Sequence, residues 1–165
     1  MSSLSTCKKP FTALRAPMSG YLIRPMQEAD LDQVAQMEKE IYSDPWSKRM
    51  FLDHLFSPTS LNLTLEINKE ITGYACNTII PEYLLAIDNL TIKRDFQKKG
   101  YGSILLTKII QKGKESGINT FTLEARESNQ AAIALYRKFG FKVAGQRKRY
   151  YHSPVEDALI MTREE

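Results

Sequence analysis

Apolar residues along this chain recur at two spacings, and the spacing changes from segment to segment. YLIRP, from Tyr21, reads as a short strand that Pro25 ends. Leu31, Val34, Glu38 and Ile41 then fall at helical intervals, with Asp30 as N-cap and Gln33 three residues on as a capping-box variant. Glu38 alone on that stripe is charged. SDPW interrupts the helix, and Ser47 is placed to cap a second one through Phe56. SLNLTLEI and EITGYACNTII, joined at Asn68-Lys69, read as two strands in tight sequence, and EYLLAIDNLTI as a third ending near Lys93. A helix is expected from about Gly102 to Ser116, where Ile104, Leu105, Ile109 and Lys112 mark one face and Gly117 stops the turn. INTFTLEAR alternates, with Phe121, Leu123 and Ala125 on one face and Thr120, Thr122 and Glu124 on the other. Asn129 can cap a helix bearing Ala132, Ile133, Tyr136 and Phe139, which Gly140 ends. FKVAGQRKRYY and EDALIMTR form a closing pair of strands. The predicted order is β-α-α-β-β-β-α-β-α-β-β, a mixed α/β (α+β) domain.

The length of 165 residues suits one domain with a real core. No apolar run reaches the ~18 residues of a membrane span, so no membrane partner is expected. Cys7 and Cys76 lie far apart, and His54 and His152 sit in no ligand pattern, which predicts no disulfide framework and no metal and suits a reducing, cytoplasmic setting. The first twenty residues are polar, contain Pro and Gly and lack acids. They read as a flexible extension before a domain at 21–165; an organelle-targeting segment and a true start at Met18 fit the same letters. The net charge of +4 is concentrated: seven basic residues and one acid lie between Lys93 and Lys114. Such a cluster suits an anionic partner, whether a phosphorylated cofactor, nucleic acid or a ribosomal surface.

That cluster brackets QKKGYGSILL, residues 97–106. The segment is not a Walker loop, and a dinucleotide turn would need a third glycine where Leu105 stands. A loop whose backbone N–H groups meet a pyrophosphate at a helix N-terminus needs only small residues and nearby charge. Gly100 and Gly102 with Lys98 and Lys99 provide both, while a plain turn before a helix fits as well.

QKKGYG also matches Q/R-x-x-G-x-G/A, the coenzyme A loop of the GNAT acetyltransferase superfamily. NLTIKRDFQKKGYGSILL, LEARESNQAAIALYRKFGF and RKRYYHSPVEDALIM follow in the order and spacing of one branch, and DPWS resembles it too. That branch acetylates the N-terminal alanine of small-subunit ribosomal protein eighteen. The resemblance covers about residues 21–163, and the first twenty have no counterpart in it. It implies a single-domain GNAT fold, with a mixed sheet of six to seven strands flanked by about four helices. It also implies direct transfer from acetyl-CoA to an amine, with a ribosomal-protein N-terminus as partner.

The resemblance assigns roles residue by residue. Glu124 takes the position of the general base and Tyr136 that of the acid for the departing thiolate. Asn129 falls where the pantetheine arm is contacted. Leu90, Thr91 and Ile92 form the strand edge beside that arm, so their side chains are expected to need no special chemistry. Lys98, Lys99, Gly100, Tyr101, Gly102 and Ser103 form the pyrophosphate cradle, with Tyr101 at a freely varying position. Tyr150 and Tyr151 fall at the peptide side, and Trp46 is placed to line the same groove. Asp157 is equally well structural. A peptide α-amine, with pKa about 7.7–8, asks less of a base than lysine at about 10.4. A monomeric enzyme is expected, with no specific nucleic-acid partner. The rivals are an acetyltransferase for a lysine or small amine, and a basic RNA- or ribosome-binding module without catalysis.

Overall fold

A computed structural model describes residues 20–165; the extension expected over residues 1–20 lies, all but its last residue, outside the described residues. The elements are β1 (Tyr21–Pro25), α1 (Leu31–Ile41), α2 (Lys48–Leu55), β2 (Ser60–Ile67), β3 (Glu70–Ile80), β4 (Leu84–Ile92), α3 (Tyr101–Glu115), β5 (Thr120–Arg126), α4 (Gln130–Lys138), β6 (Lys142–His152) and β7 (Val155–Glu164). Their order is the predicted one. Short 3-10 turns at Glu28–Asp30 and Arg94–Phe96 were not predicted. The seven strands form one sheet in the order β1-β2-β3-β4-β5-β7-β6, with β4 and β5 parallel and every other neighbouring pair antiparallel.

Each face of the sheet has its own core. On one, Leu31, Val34, Met37 and Phe51 of α1 and α2 pack on Ile71, Tyr74 and Cys76 of β3. On the other, Leu105, Leu106, Ile109 and Ile133 of α3 and α4 pack on Leu63, Ala75, Leu85 and Phe121. Coverage on both sides explains why β3 is buried without interruption from Ile71 to Asn77. Ser47 caps α2 as expected, accepting from the Met50 N–H at 3.2 Å. Asp30 does not cap α1. Its carboxylate turns back to the Gln27 N–H at 2.7 Å and pairs with Arg24 of β1, which holds it below the usual carboxylate range, the Arg24 hydrogen bonds leading. A tertiary ion pair has overridden the local cap.

Helix α3 approaches the sheet closely through Gly113. A Cβ there would meet Phe121 Cε1 at 2.5 Å and Leu85 Cδ1 at 3.3 Å, and both side chains are fully buried. Gly113→Ala gains about 1 kcal/mol of helix propensity but overpacks a core site, which costs about 1–3 kcal/mol. The expected result is a lower melting temperature, by up to about 8 °C, in a thermal melt. A raised value would show that Phe121 can yield.

Two irregularities shape the centre. In the β3–β4 register Cys76 faces Asn89 and Asn77 faces Ile87, so Asp88 is an extra residue that bends β4. Beyond that bulge β4 leaves β5: their pairing stops at Ile87–Leu123. In the β6–β7 register Arg147 faces Ala158 and Tyr151 faces Glu156, so three residues of β6 lie opposite Asp157 alone. The Asp157 carboxylate pins this bulge, accepting from Arg149 N–H at 2.8 Å, Lys148 Nζ at 2.9 Å and Gln146 Nε2 at 3.0 Å. Its role is therefore structural.

Candidate active site

Two cavities open where β4 and β5 part. The larger, about 620 Å³, runs along Leu90, Thr91 and Ile92 to Lys98 and Gly102 at the start of α3, with the α4 cap Asn129 and Ala132 of α4 opposite. Three cations (Arg94, Lys98, Arg126) and one acid (Glu156) line it. The smaller, about 170 Å³, is lined by four carboxylates (Glu38, Asp44, Asp88, Glu124) and one cation, Arg126. Tyr42, Leu90, Arg126, Asn129 and Ala132 line both, so the cavities meet. A basic cleft joined to a small acidic pocket can hold a phosphorylated ligand beside an ammonium group.

The two glycines of the loop answer to different constraints. Gly100 precedes α3 at φ 90°, a left-handed conformation, so it is the backbone angle that needs glycine there; nothing lies within 4 Å of an added Cβ. Gly102 has ordinary backbone, but a Cβ would meet Leu135 Cδ2 at 3.3 Å on the cleft wall. Gly100→Val and Gly102→Val should each raise the KM for a phosphorylated ligand of the cleft by about tenfold or more, with the KM for a ligand of the acidic pocket little changed. Initial-rate kinetics checks this, and an unchanged KM would remove the loop from the site.

Of the other loop residues, Lys99 lies 5.6 Å from the Phe96 ring centroid, and neither Lys99 nor Ser103 lines the cleft. Tyr101 adds a constraint that its place in the motif did not carry. It is 4% exposed and packs edge-on to Phe96 in the core, so its side chain is a packing element and only its backbone can face a ligand. Thr91 corrects an expectation, because its hydroxyl is buried and bonded to both Tyr42 and Asn89. Asn129 Oδ1 caps α4 through the Ala132 N–H at 3.2 Å, while the residue also lines both cavities.

Glu124 and Tyr136 come together at the acidic pocket from β5 and α4. Glu124 Oε1 forms an ion pair with Arg147, 2.8 Å from its Nε. Tyr136 is 7% exposed, against Phe141, and burial, then Tyr42 and Tyr151, push its phenol well above the usual range. Tyr151 lines the pocket with Arg126 stacked 4.1 Å from its ring centroid, and burial first pushes its phenol up to about 12. Tyr150 is 42% exposed and lines neither cavity; it meets Tyr151 edge-on at 5.1 Å, and the neighbouring Glu124 raises its phenol. Trp46 lines the pocket and packs on Phe51 and His54. Cys76 is buried, and burial, then Asp88 and Glu38, raise its thiol far above the nucleophilic range. No cluster of metal-ligating residues occurs among the described residues.

The family model for the acetyltransferase (GNAT) family matches residues 31–141, two thirds of the chain. This chain belongs to the GNAT acetyltransferase family. A relative from Haemophilus influenzae, named [ribosomal protein bS18]-alanine N-acetyltransferase, is 35% identical over 144 residues, which span 85% of this chain and 96% of that one. The crystal structure of the ribosomal-protein-S18-alanine N-acetyltransferase from Escherichia coli superposes with a TM-score of 0.81 at 31% identity, covering 87% of this chain and 93% of that one. A GNAT acetyltransferase from Elizabethkingia anophelis, solved with acetyl-CoA bound, shares the fold at a TM-score of 0.70 and 21% identity, covering 90% of this chain and all of that one.

As a GNAT enzyme the protein uses acetyl-CoA. The residues present fit that donor: the basic cleft, the left-handed Gly100 and the close wall at Gly102 suit its phosphates and arm. Several site residues escaped the sequence. Asp88 reaches the pocket through the β4 bulge, held by Thr78 Oγ1 at 2.7 Å and His54 Nε2 at 3.1 Å. Arg126 bonds the carbonyls of Ser153 and Pro154 and so ties the β6–β7 turn to the end of β5. Glu38 alone left a signal, as the charged residue on the apolar stripe of α1.

Proposed function

We propose that this GNAT enzyme transfers the acetyl group of acetyl-CoA to the α-amine of a peptide, and that the acceptor is the N-terminal alanine of ribosomal protein bS18. The observation that carries the reading is the small acidic pocket joined to the basic cleft. At about 170 Å³ it has room for roughly five or six waters. That volume suits a small first residue and its ammonium, and four carboxylates favour that cation. Relatives at 32–35% identity are named for the same acceptor.

In this reading Glu124 takes the proton the amine must lose before it attacks the thioester carbon, directly or through one water. Arg147 keeps the carboxylate in place. As the carbon–sulfur bond breaks, the Tyr136 hydroxyl donates a hydrogen bond to the sulfur. Tyr150 and Tyr151 supply the aromatic wall for the peptide beyond its first residue, on the arm of β6 that Asp157 pins.

The test is mass spectrometry of peptides incubated with acetyl-CoA. A peptide copying the bS18 N-terminus should gain one acetyl group, and the same peptide with a blocked α-amine and an internal lysine should gain none. Acetylation of the lysine instead would keep the fold and the donor but overturn the acceptor.

A further inference from the structure

Glu38 is 2% exposed, and every partner it has among the described residues is a donor. Tyr74 Oη donates to Oε2, the Trp46 backbone N–H donates to Oε1 at 3.0 Å, and Asn89 Nδ2 donates to both oxygens at 3.2 Å. A carboxylate facing these groups can only accept, so it fixes the Asn89 amide with its NH2 toward Glu38 and its Oδ1 away. Asn89 Oδ1 lies 2.9 Å from Thr91 Oγ1. Oδ1 has no hydrogen, so the single Thr91 hydroxyl hydrogen lies between them. Thr91 then has none left for its other neighbour, Tyr42 Oη, at 3.0 Å. Tyr42 must be the donor in that pair, and its oxygen is left with lone pairs.

Tyr42 lines both cavities where they meet, close enough to Tyr136 and Tyr151 to raise both phenols. The two hydroxyls near the reacting centre are therefore not equivalent. Tyr136 can donate; Tyr42 is held as an acceptor.

We propose that Tyr42 Oη accepts a hydrogen bond from the incoming amine, and that buried Glu38 imposes this polarity through Asn89 and Thr91. An N–H held on Tyr42 turns the nitrogen lone pair toward the thioester carbon, a positioning effect on the attacking atom. The inference rests on the α-amine reading above. Glu38, Asn89 and Thr91 act here as positioning residues: they set the polarity of Tyr42, while Glu38 and Asn89 also line the pocket itself.

The experiment compares Tyr42→Phe, Thr91→Val and Thr91→Ser with wild type, using the bS18-type peptide and direct titration of acetyl-CoA. Tyr42→Phe should lower kcat/KM for the peptide about tenfold, roughly one lost neutral hydrogen bond, with acetyl-CoA affinity and the melting temperature little changed. Thr91→Val frees the Tyr42 hydroxyl to turn its hydrogen into the pocket and should lose a similar factor. Thr91→Ser keeps the chain of hydroxyls and should recover most of that loss. An unchanged peptide kcat/KM in Tyr42→Phe would overturn the inference. So would a fall matched by an equal loss of acetyl-CoA affinity, since Tyr42 would then serve the donor. Wild-type transfer is measured in the same runs, so failure of the α-amine reading shows in the reference and failure of this inference only in the variants.

Discussion

Glu124→Gln should lower kcat/KM for a peptide acceptor by about 10²–10⁴-fold at pH 7, and the deficit should shrink as the pH rises. Glutamine keeps an oxygen for Arg147, which sits 2.8 Å from Glu124 Oε1, so the substitution removes the proton acceptor and leaves the local geometry. Without that acceptor the reaction draws on amine already deprotonated in solution. With an α-amine pKa of about 7.7–8, that fraction rises roughly tenfold per unit below pH 7.7 and levels off above pH 8. The variant's rate should follow this curve, and the ratio of wild type to variant should be smaller at pH 9 than at pH 7. A deficit constant across pH 6–9 would assign Glu124 to binding rather than to proton transfer.

Tyr136→Phe should behave the other way. A phenol of ordinary pKa is already a weaker acid than a thiol by about 1.5 units, or about 2 kcal/mol. Burial raises Tyr136 further, which makes full proton transfer to the departing thiolate less favourable. Its contribution is then a hydrogen bond to charge developing on sulfur. Losing one such donor costs about 10²–10³ in kcat. Because the raised phenol stays protonated throughout, the loss should be uniform from pH 6 to 9. The ring still packs against Phe141, so the melting temperature and the acetyl-CoA KM should hold. A loss that fades toward alkaline pH would mean that the hydroxyl ionises in the working range and would overturn the assignment.

The chain's letters carried the element order because each element has a local cause: alternation in Phe121–Ala125, helical spacing in Ile133 and Tyr136, a serine cap at Ser47. The helix start after the glycines was legible for a similar reason, while the left-handed angle that needs glycine at Gly100 appears only in the structure. What could not be read depends on distant partners. Asp30 looked like a cap until Arg24 arrived from another strand. Tyr101 sits in a motif that faces a ligand, yet its ring turns to Phe96 and the core. The acidic pocket draws Glu38 from α1, Asp44 from the loop after it, Asp88 from β4 and Glu124 from β5, and no stretch of sequence holds two of the last three. Asp88 joins them through a bulge whose register exists only once β3 and β4 pair.

The bulge at Asp157 has an effect outside the site. β6 is one of the two edge strands, largely exposed, and so presents an open row of backbone groups that another chain's strand could extend. The pinned segment Lys148–Tyr150 breaks that row, and Arg147, Lys148 and Arg149 place positive charge along it. The arm that holds two tyrosines beside the pocket thus also makes the β6 border of the sheet a poor template for edge-to-edge aggregation.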